Sequence, residues 1–126
     1  MPKIIKVDDA QKISRRPGSP AHRVMLVTEE TTGAKELNMI MSVTPPDQPP
    51  RHGSHYHRKR ESIFFVLQGK GKAIIEGKEY DIEPNTVIYI PPGERHSFRN
   101  VGNTEMKTLE CFTYPPVSED RFDVPE

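Results

Sequence analysis

At 126 residues, the chain is long enough to form one domain with its own hydrophobic core. Its 18 lysine and arginine residues balance its 18 aspartate and glutamate residues, so the net charge gives no general attraction to nucleic acid or an anionic membrane. A single cysteine excludes an internal disulfide, and we find neither a membrane-length apolar run nor an export leader. We therefore expect a cytoplasmic protein without nucleic-acid or membrane partners.

The first half of the chain predicts an arm followed by a hairpin. Residues 1–20 are polar and end in a Pro-Gly-Ser-Pro break, which indicates an N-terminal arm with a short strand at Lys3–Val7. Two β-prone runs, His22–Thr28 and Glu36–Val43, flank a polar, glycine-containing stretch and predict a hairpin. The proline-rich segment Thr44–Pro50 predicts a connecting loop, since proline cannot donate to a central β-ladder.

Short strands continue through the second half of the chain. The runs that predict strands are Ile63–Leu67, Lys72–Glu76, Glu79–Glu83, Thr86–Ile90, His96–Asn100 and Lys107–Tyr114. Gly77-Lys78 and Pro84-Asn85 predict tight turns between neighbouring strands. Short strands at regular spacing indicate an all-β sandwich or barrel over residues 21–114, and the polar residues 115–126 indicate a C-terminal tail.

Three of the five histidines fall in two short segments, His55-Tyr56-His57 and the corner that ends at His96. Side chains at positions i and i+2 of a strand point to the same side, so His55 and His57 can be directed at one point, and another strand can bring His96 to meet them. Converging imidazoles, with or without the carboxylate of Glu61, are typical of a site for a divalent transition metal. Two surface imidazoles are the simpler alternative for the first pair.

These residues resemble the two signature motifs of the cupin superfamily, in its single-domain form. The first motif contains a His-x-His pair and a glycine after a hydrophobic strand, here His55, His57 and Gly69. The second motif has the form Pro-x-Gly-x-x-His-x-x-x-Asn and is matched by Pro91, Gly93, His96 and Asn100. The resemblance implies a double-stranded β-helix, also called a jelly-roll or cupin barrel, with a metal held by three histidines and in many members a glutamate. Together with the N-terminal arm and the exposed strand edges of an open β-sandwich, it also favours a homodimer.

The position of the glutamate leaves two alternatives open. The most usual spacing of the family places it at Ser62, whereas a shorter spacing places it at Glu61. One residue of slip reverses the face to which a strand side chain points. Either a β-bulge turns Glu61 toward the metal, or the site contains only the three histidines.

Five further side chains are candidates for the pocket around the metal: Phe64, Tyr89, Arg95, Phe98 and Cys111. Phe64 points inward if Ser62 does, and Arg95 has the charge to meet an anionic substrate. For Phe64, Phe98 and Cys111 plain packing is the alternative, and for Arg95 it is an exposed position at the rim. The basic run Arg58-Lys59-Arg60 is interpreted as a solvated loop.

The resemblance implies a divalent transition metal, with Fe, Mn, Ni, Zn and Cu all compatible with the histidines. Such a metal binds a small molecule through two oxygen atoms, as an enediol, a β-diketone or a 2-oxo acid provides them. The leading hypothesis is a metal-dependent dioxygenase, or an enzyme of related chemistry, acting on a small oxygen-chelating organic acid or diketone-like compound. The alternatives are a non-catalytic cupin that binds a sugar or small metabolite, and a barrel whose metal is structural.

Overall fold

The computed structural model describes residues 2–15, 17–46, 54–113 and 120–124. Within these ranges the strands are β1 (Lys12–Ser14), β2 (His22–Val27), β3 (Leu37–Thr44), β4 (His55–Tyr56), β5 (Ser62–Gln68), β6 (Gly71–Ile75), β7 (Lys78–Ile82), β8 (Val87–Ile90), β9 (His96–Asn100), β10 (Met106–Thr113) and β11 (Phe122–Asp123). A 3-10 helix (Val7–Asp9) and a one-turn helix α1 (Glu29–Thr32) accompany them. In this part of the chain no helix is long and apolar enough to span a membrane.

The strands form two antiparallel sheets. The larger sheet has the order β1-β2-β3-β10-β5-β8, and the smaller has the order β11-β4-β9-β6-β7. Strands distant in sequence are neighbours in both sheets, as when β10 lies between β3 and β5. This arrangement confirms the prediction of an all-β, jelly-roll barrel.

An apolar cluster fills one end of the space between the sheets. Its buried members are Phe64, Val66, Ala73, Ile82, Ile88, Ile90 and Met106. Burying each of the larger of these side chains contributes roughly 1.5–3 kcal/mol, so the cluster is a major source of stability. A second cluster, formed by Val24, Leu26, Met41 and Val43, lies on the opposite face of the larger sheet and packs against Ala10 of the N-terminal segment.

Two local predictions differ from the structure. The N-terminal strand is β1, which pairs with β2, whereas residues 3–6 are not in a strand and Ile4 is 96% exposed. The turn between β6 and β7 lies one residue earlier than predicted. Glu76 and Gly77 have φ values of 49° and 80°, and Ile75 pairs with Lys78. Two left-handed residues make this a type I′ turn, whose twist matches that of the flanking strands.

The last residue of each motif, Gly69 in the first and Asn100 in the second, has a structural role. Gly69 has a φ of +92°, and a Cβ at this position would lie 2.9 Å from the backbone of β10, so only glycine fits. The amide of Asn100 is fully buried and donates to the carbonyl oxygens of Thr44 and Thr104, at 2.9 and 2.7 Å. Its Oδ1 accepts from the backbone N–H of Gly102 at 2.9 Å. Asn100 therefore ties three backbone segments together near the end of β9.

Candidate metal centre

The three histidines lie together inside the barrel. His55 and His96 are paired across β4 and β9, with ring centroids 4.4 Å apart. The ring of His57 lies 5.0 Å from that of His55 and 5.4 Å from that of His96. One nitrogen from each ring can be chosen so that all three lie within 4.8 Å of one another. The structure thus brings together the three side chains that the sequence singled out, and they could hold a metal ion.

Backbone carbonyl groups orient two of these rings. Nδ1 of His57 donates to the carbonyl oxygen of Asp120, and Nδ1 of His96 donates to that of Glu94 at 3.0 Å. A proton on Nδ1 leaves the lone pair on Nε2, which is the usual arrangement in a metal-binding histidine. Nε2 of His96 is buried and has no hydrogen-bond partner among the described residues. Because an unpaired buried acceptor costs free energy, its position fits a bound cation.

The protonation state of the histidines also suits a metal. Burial lowers the pKa of His55 to about 2, with His96 and Arg121 acting in the same direction. Burial followed by the charge of Arg60 lowers the pKa of His57 to about 4. The pKa of His96 is lowered mainly by burial. All three imidazoles are therefore neutral near pH 7, which is the form that binds metal ions.

Arg60 lies against the histidines rather than in a solvated loop, as the sequence had suggested. Its side chain is 4% exposed, and its guanidinium lies 4.0 Å above the ring of Phe112. Nη1 lies 3.2 Å from Nε2 of His57 and 3.6 Å from Oε2 of Glu110. The lone pair on Nε2 of His57 can accept a hydrogen bond from Arg60 or bind a metal ion, but it cannot do both at once. Arg60 therefore competes with a cation for this nitrogen. The prediction of a solvated loop is correct for Arg58 and Lys59, which are exposed, but wrong for Arg60. Arg60 faces inward, as does Ser62 two residues later.

The carboxylate inside the barrel belongs to Glu110 on β10. Ser62, at the position where the family usually has its glutamate, is 1% exposed and donates to Oε2 of Glu110 at 2.8 Å. Burial raises the pKa of Glu110, although Arg60 and the bond from Ser62 oppose the shift. The sequence places Glu110 on the last strand, beside the expected metal, but its contact with Ser62 is not predictable because the two residues are 48 positions apart.

Glu61 does not join the histidines, so the expectation of a fourth ligand at this residue is not met. Its carboxylate is exposed and accepts a hydrogen bond from the hydroxyl of Tyr89 at 2.7 Å. β5 pairs in regular register at Ser62, opposite Ile90 on β8. Without a bulge there, the residue before Ser62 points to the opposite face. Tyr89 is 51% exposed on this same outer face and does not wall the pocket.

Of the other four pocket candidates, two lie beside the histidines and two do not. The rings of Phe64 and Phe98 lie 4.5 Å apart, and 6.2 and 6.3 Å from that of His96, so both form an apolar wall beside the histidines. Arg95 is exposed beside the Pro-Pro-Gly corner. Cys111 is on the face of β10 opposite to Glu110, and burial raises the pKa of its thiol. Arg95 and Cys111 therefore do not line the interior, contrary to expectation.

Asp120, within the segment expected to form a tail, holds the turn that carries His57 and Arg60. Its carboxylate accepts hydrogen bonds from the backbone N–H groups of residues 58, 59 and 60, at 3.1, 2.8 and 2.9 Å. Burial alone would raise the pKa of Asp120, but these bonds lower it below its usual value. The next residues form β11, which pairs with β4. No sequence signal pointed to this contact, since it joins residues about sixty positions apart.

Two further arginines lie near the histidines. Arg23 lies on β2, in register with Ser42 and on the inner face of the larger sheet, and Arg121 lies just before β11. Both are close enough to add to the lowering of the pKa of His55, after burial and His96. The sequence alone does not reveal them, because alternation along β2 puts Arg23 opposite the apolar Val24 and so predicts that Arg23 faces solvent. The structure shows that Val24 belongs to the second cluster and that Arg23 lies on the inner face.

The protein family of this chain is shown by a match to a known family model. Residues 40–112, more than half of the chain, match the family model of the cupin domain. The chain belongs to the cupin family. The resemblance inferred from the two histidine motifs is therefore confirmed, and both motifs lie within the matched residues of this cupin.

Curated relatives of this cupin are similar over part of their length. An uncharacterized protein of Methanocaldococcus jannaschii is 33% identical over 72 residues, covering 57% of each chain. An oxalate-binding protein of Thermotoga maritima is 35% identical over 57 residues, 45% of this chain and 47% of that one. Glucose-6-phosphate isomerase of Pyrococcus furiosus is 36% identical over 86 residues, 60% of this chain and 44% of that one. This cupin spans about half the length of these relatives.

Solved structures show the same fold at low sequence identity. A predicted oxalate decarboxylase of Thermotoga maritima has a TM-score of 0.72 and 23% identity, covering 90% of this chain and all of its own. A sugar phosphate isomerase of Silicibacter pomeroyi has a TM-score of 0.74 and 18% identity, covering 90% and 77% of the two chains. The nucleoside dehydratase Pac13 has a TM-score of 0.75 and 9% identity, covering 98% and 92%.

Proposed function

We propose that this cupin is a metal-dependent enzyme that acts on a small organic acid or diketone-like compound able to chelate the metal through two oxygen atoms. The observation that carries the proposal is the convergence of three neutral imidazoles, two of them oriented through Nδ1 by backbone carbonyl groups. An uncharged set of ligands leaves the full positive charge on a divalent cation, which favours an anionic, chelating partner. When bound, the metal would polarise the substrate oxygens or give the substrate access to O₂.

The surrounding side chains provide the other requirements of such a site. Phe64 and Phe98 supply an apolar wall that excludes water from one side of the histidines. The guanidinium of Arg60 offers hydrogen bonds to an anionic oxygen. The buried carboxyl group of Glu110, whose pKa is raised by burial, is suited to exchange a proton with a bound substrate.

For the reaction, we propose dioxygenase chemistry, in which both atoms of O₂ enter the products. Loss of one substrate molecule should then consume one molecule of O₂, which an oxygen electrode measures with Fe(II)-loaded protein and a β-diketone or 2-oxo acid. Substrate conversion without O₂ consumption would indicate proton transfer by Glu110 instead. The similar proteins that support this second reaction class include a predicted oxalate decarboxylase and a sugar phosphate isomerase.

The metal site itself is tested by elemental analysis of the purified protein and two variants. His55→Ala removes one of three ligands and should reduce metal affinity by at least ~100-fold, because loss of supporting residues alone costs ~10–100-fold in metal sites. Glu61→Ala is the matched control and should retain the metal, since Glu61 faces outward beside Tyr89. Metal retained at full occupancy in His55→Ala would contradict the site.

A non-catalytic cupin that binds a sugar or small metabolite is the second candidate. The contact between Arg60 and Nε2 of His57 favours it, because a guanidinium at this position suits a metal-free barrel. Purified protein that contains no metal, shows no turnover and still binds a small molecule in the barrel would support this candidate over the enzyme.

The homodimer expected from the sequence stays a proposal, and the outer face of β5 and β8 is the surface we assign to it. Ile63, Leu67, Val87 and Tyr89 are between 41% and 60% exposed there, and Ile63 pairs directly with Tyr89. Size-exclusion chromatography with light scattering should give twice the monomer mass, and Val87→Glu should shift the protein to the monomer. A monomer mass for the unaltered protein would remove the dimer. The cytoplasmic location likewise stays a prediction.

A further inference from the structure

Arg23 is a charged side chain without a counter-charge of its own. It lies half-buried on the inner face of β2, and it makes no ion pair or hydrogen bond with any residue that the structure describes. Its guanidinium is close enough to Arg121 and Glu110 to feel both charges, and burial followed by Arg121 lowers its pKa. Partial burial of an unpaired guanidinium is unfavourable, so a binding role offers a reason for its position.

The charges around the histidines are unevenly balanced. Arg23, Arg60 and Arg121 contribute three guanidinium groups, whereas Glu110 is the acidic side chain that lies among them. Glu110 is already engaged by Ser62 and by Arg60. Arg121 contacts Asp123 through Nε at 3.1 Å, and the side chain of Asp123 is 77% exposed. Among the residues that the structure describes, the surroundings of the histidines therefore carry an excess of positive charge that the neutral imidazoles do not offset.

We infer that the substrate carries a second anionic group, a carboxylate or a phosphate, which Arg23 binds with the help of Arg121. The inference rests on the proposed function, in which the other end of the substrate presents two oxygens toward the histidines. A guanidinium binds carboxylate and phosphate groups with paired hydrogen bonds, and a neighbouring positive charge strengthens this contact in a partly dry site. Arg23 is accordingly a residue that determines substrate specificity.

Three probes with one common chelating end test the inference: glycerate, malate and 3-phosphoglycerate. Each is a 2-hydroxy acid, and the last two add a distal carboxylate or phosphate. Binding is measured by isothermal titration calorimetry to the zinc-loaded protein, since zinc does not change its redox state. The protein should bind malate or 3-phosphoglycerate at least ~tenfold tighter than glycerate. The larger gain of the two identifies the anion as carboxylate or phosphate.

Variants connect this preference to Arg23. Arg23→Gln should remove most of the gain of the dianions while weakening the binding of glycerate by less, and Arg23→Lys should restore part of the gain. Arg58→Gln is the matched control, because Arg58 is exposed with its guanidinium 4.3 Å above the ring of Phe122. Equal affinities of the unaltered protein for all three probes would overturn the inference, as would an equal loss for all three in Arg23→Gln.

The same titrations on metal-free protein separate this inference from the proposed function. If zinc does not bind but Arg23 still confers a preference for malate or 3-phosphoglycerate, the enzyme proposal fails and the anion site stands. If zinc and glycerate bind but the dianions show no advantage, the anion site fails and the metal site stands. Absence of binding by all probes to both forms of the protein overturns the anion site as well.

Discussion

Arg60→Gln should tighten the binding of a divalent cation to the histidines by at least ~tenfold. Nη1 of Arg60 occupies the lone pair of His57 at 3.2 Å, so the variant frees a ligand and removes a positive charge from the site. Two unit charges ~4 Å apart interact with about 4 kcal/mol at the effective dielectric of a protein surface, and a tenfold change needs only about 1.4 kcal/mol. Competition against a chelator of known affinity measures the change.

Arg60→Lys serves as the comparison for this experiment. It keeps the positive charge and should leave metal affinity within a few-fold of the original value, so that the difference between lysine and glutamine isolates the charge. Arg60 also pairs with the buried Glu110, and loss of one partner of a buried pair destabilises a protein by roughly 3–5 kcal/mol. Thermal unfolding must therefore show that both variants are folded. Unchanged or weaker metal binding by folded Arg60→Gln would refute the competition.

Metal-free protein should lose stability as the pH falls below about 6.5, the ordinary pKa of histidine. Burial lowers the pKa of His57 to about 4 and that of His55 to about 2. Between pH 6.5 and 4 the unfolded chain binds protons at these residues that the folded chain excludes, so acid favours unfolding. For His57 alone, the lowered pKa should reduce the free energy of unfolding at pH 4 by roughly 3 kcal/mol relative to neutral pH. The Tm should then fall by about 10 °C.

A matched variant assigns this pH dependence to the histidine cluster. His57→Gln cannot take up a proton, so its Tm should fall less than that of the unaltered protein between pH 6.5 and 4. His22→Gln is the control, because His22 lies on β2, on the face opposite to Arg23. Identical pH profiles for His57→Gln and the unaltered protein would show that the buried histidines do not control acid stability.

The histidines were predictable from sequence because their geometry follows from local rules. His55 and His57 are two residues apart, and the motif around His96 fixes a corner followed by a strand. The choice between Glu61 and Ser62 was not predictable, since both spacings are compatible with the chain until the register of β5 against β8 is known. That register places Ser62 inside.

The charged residues of the site were harder to predict. Arg23, Arg60, Glu110 and Arg121 come from separate parts of the chain, and their inward orientation depends on pairings between strands that are distant in sequence. Arg60 offered one signal, because it lies two residues before Ser62. In a run with Arg58 and Lys59, composition favours solvent for all three. Alternation gives Arg58 the same face as Arg60, so the buried position of Arg60 alone follows from the turn that Asp120 holds.

The hydrogen bonds from residues 58–60 to the carboxylate of Asp120 affect the order in which parts of the protein can fold. Residues 58 and 120 are 62 positions apart, so the ribosome adds Asp120 long after the turn. During synthesis, chains fold first from their N-terminal parts, and contacts between distant residues form late. The apolar cluster between the sheets needs no residue beyond Met106, whereas His57 has its Nδ1 acceptor only once Asp120 arrives. The packing of the core and the orientation of His57 therefore depend on separate parts of the chain.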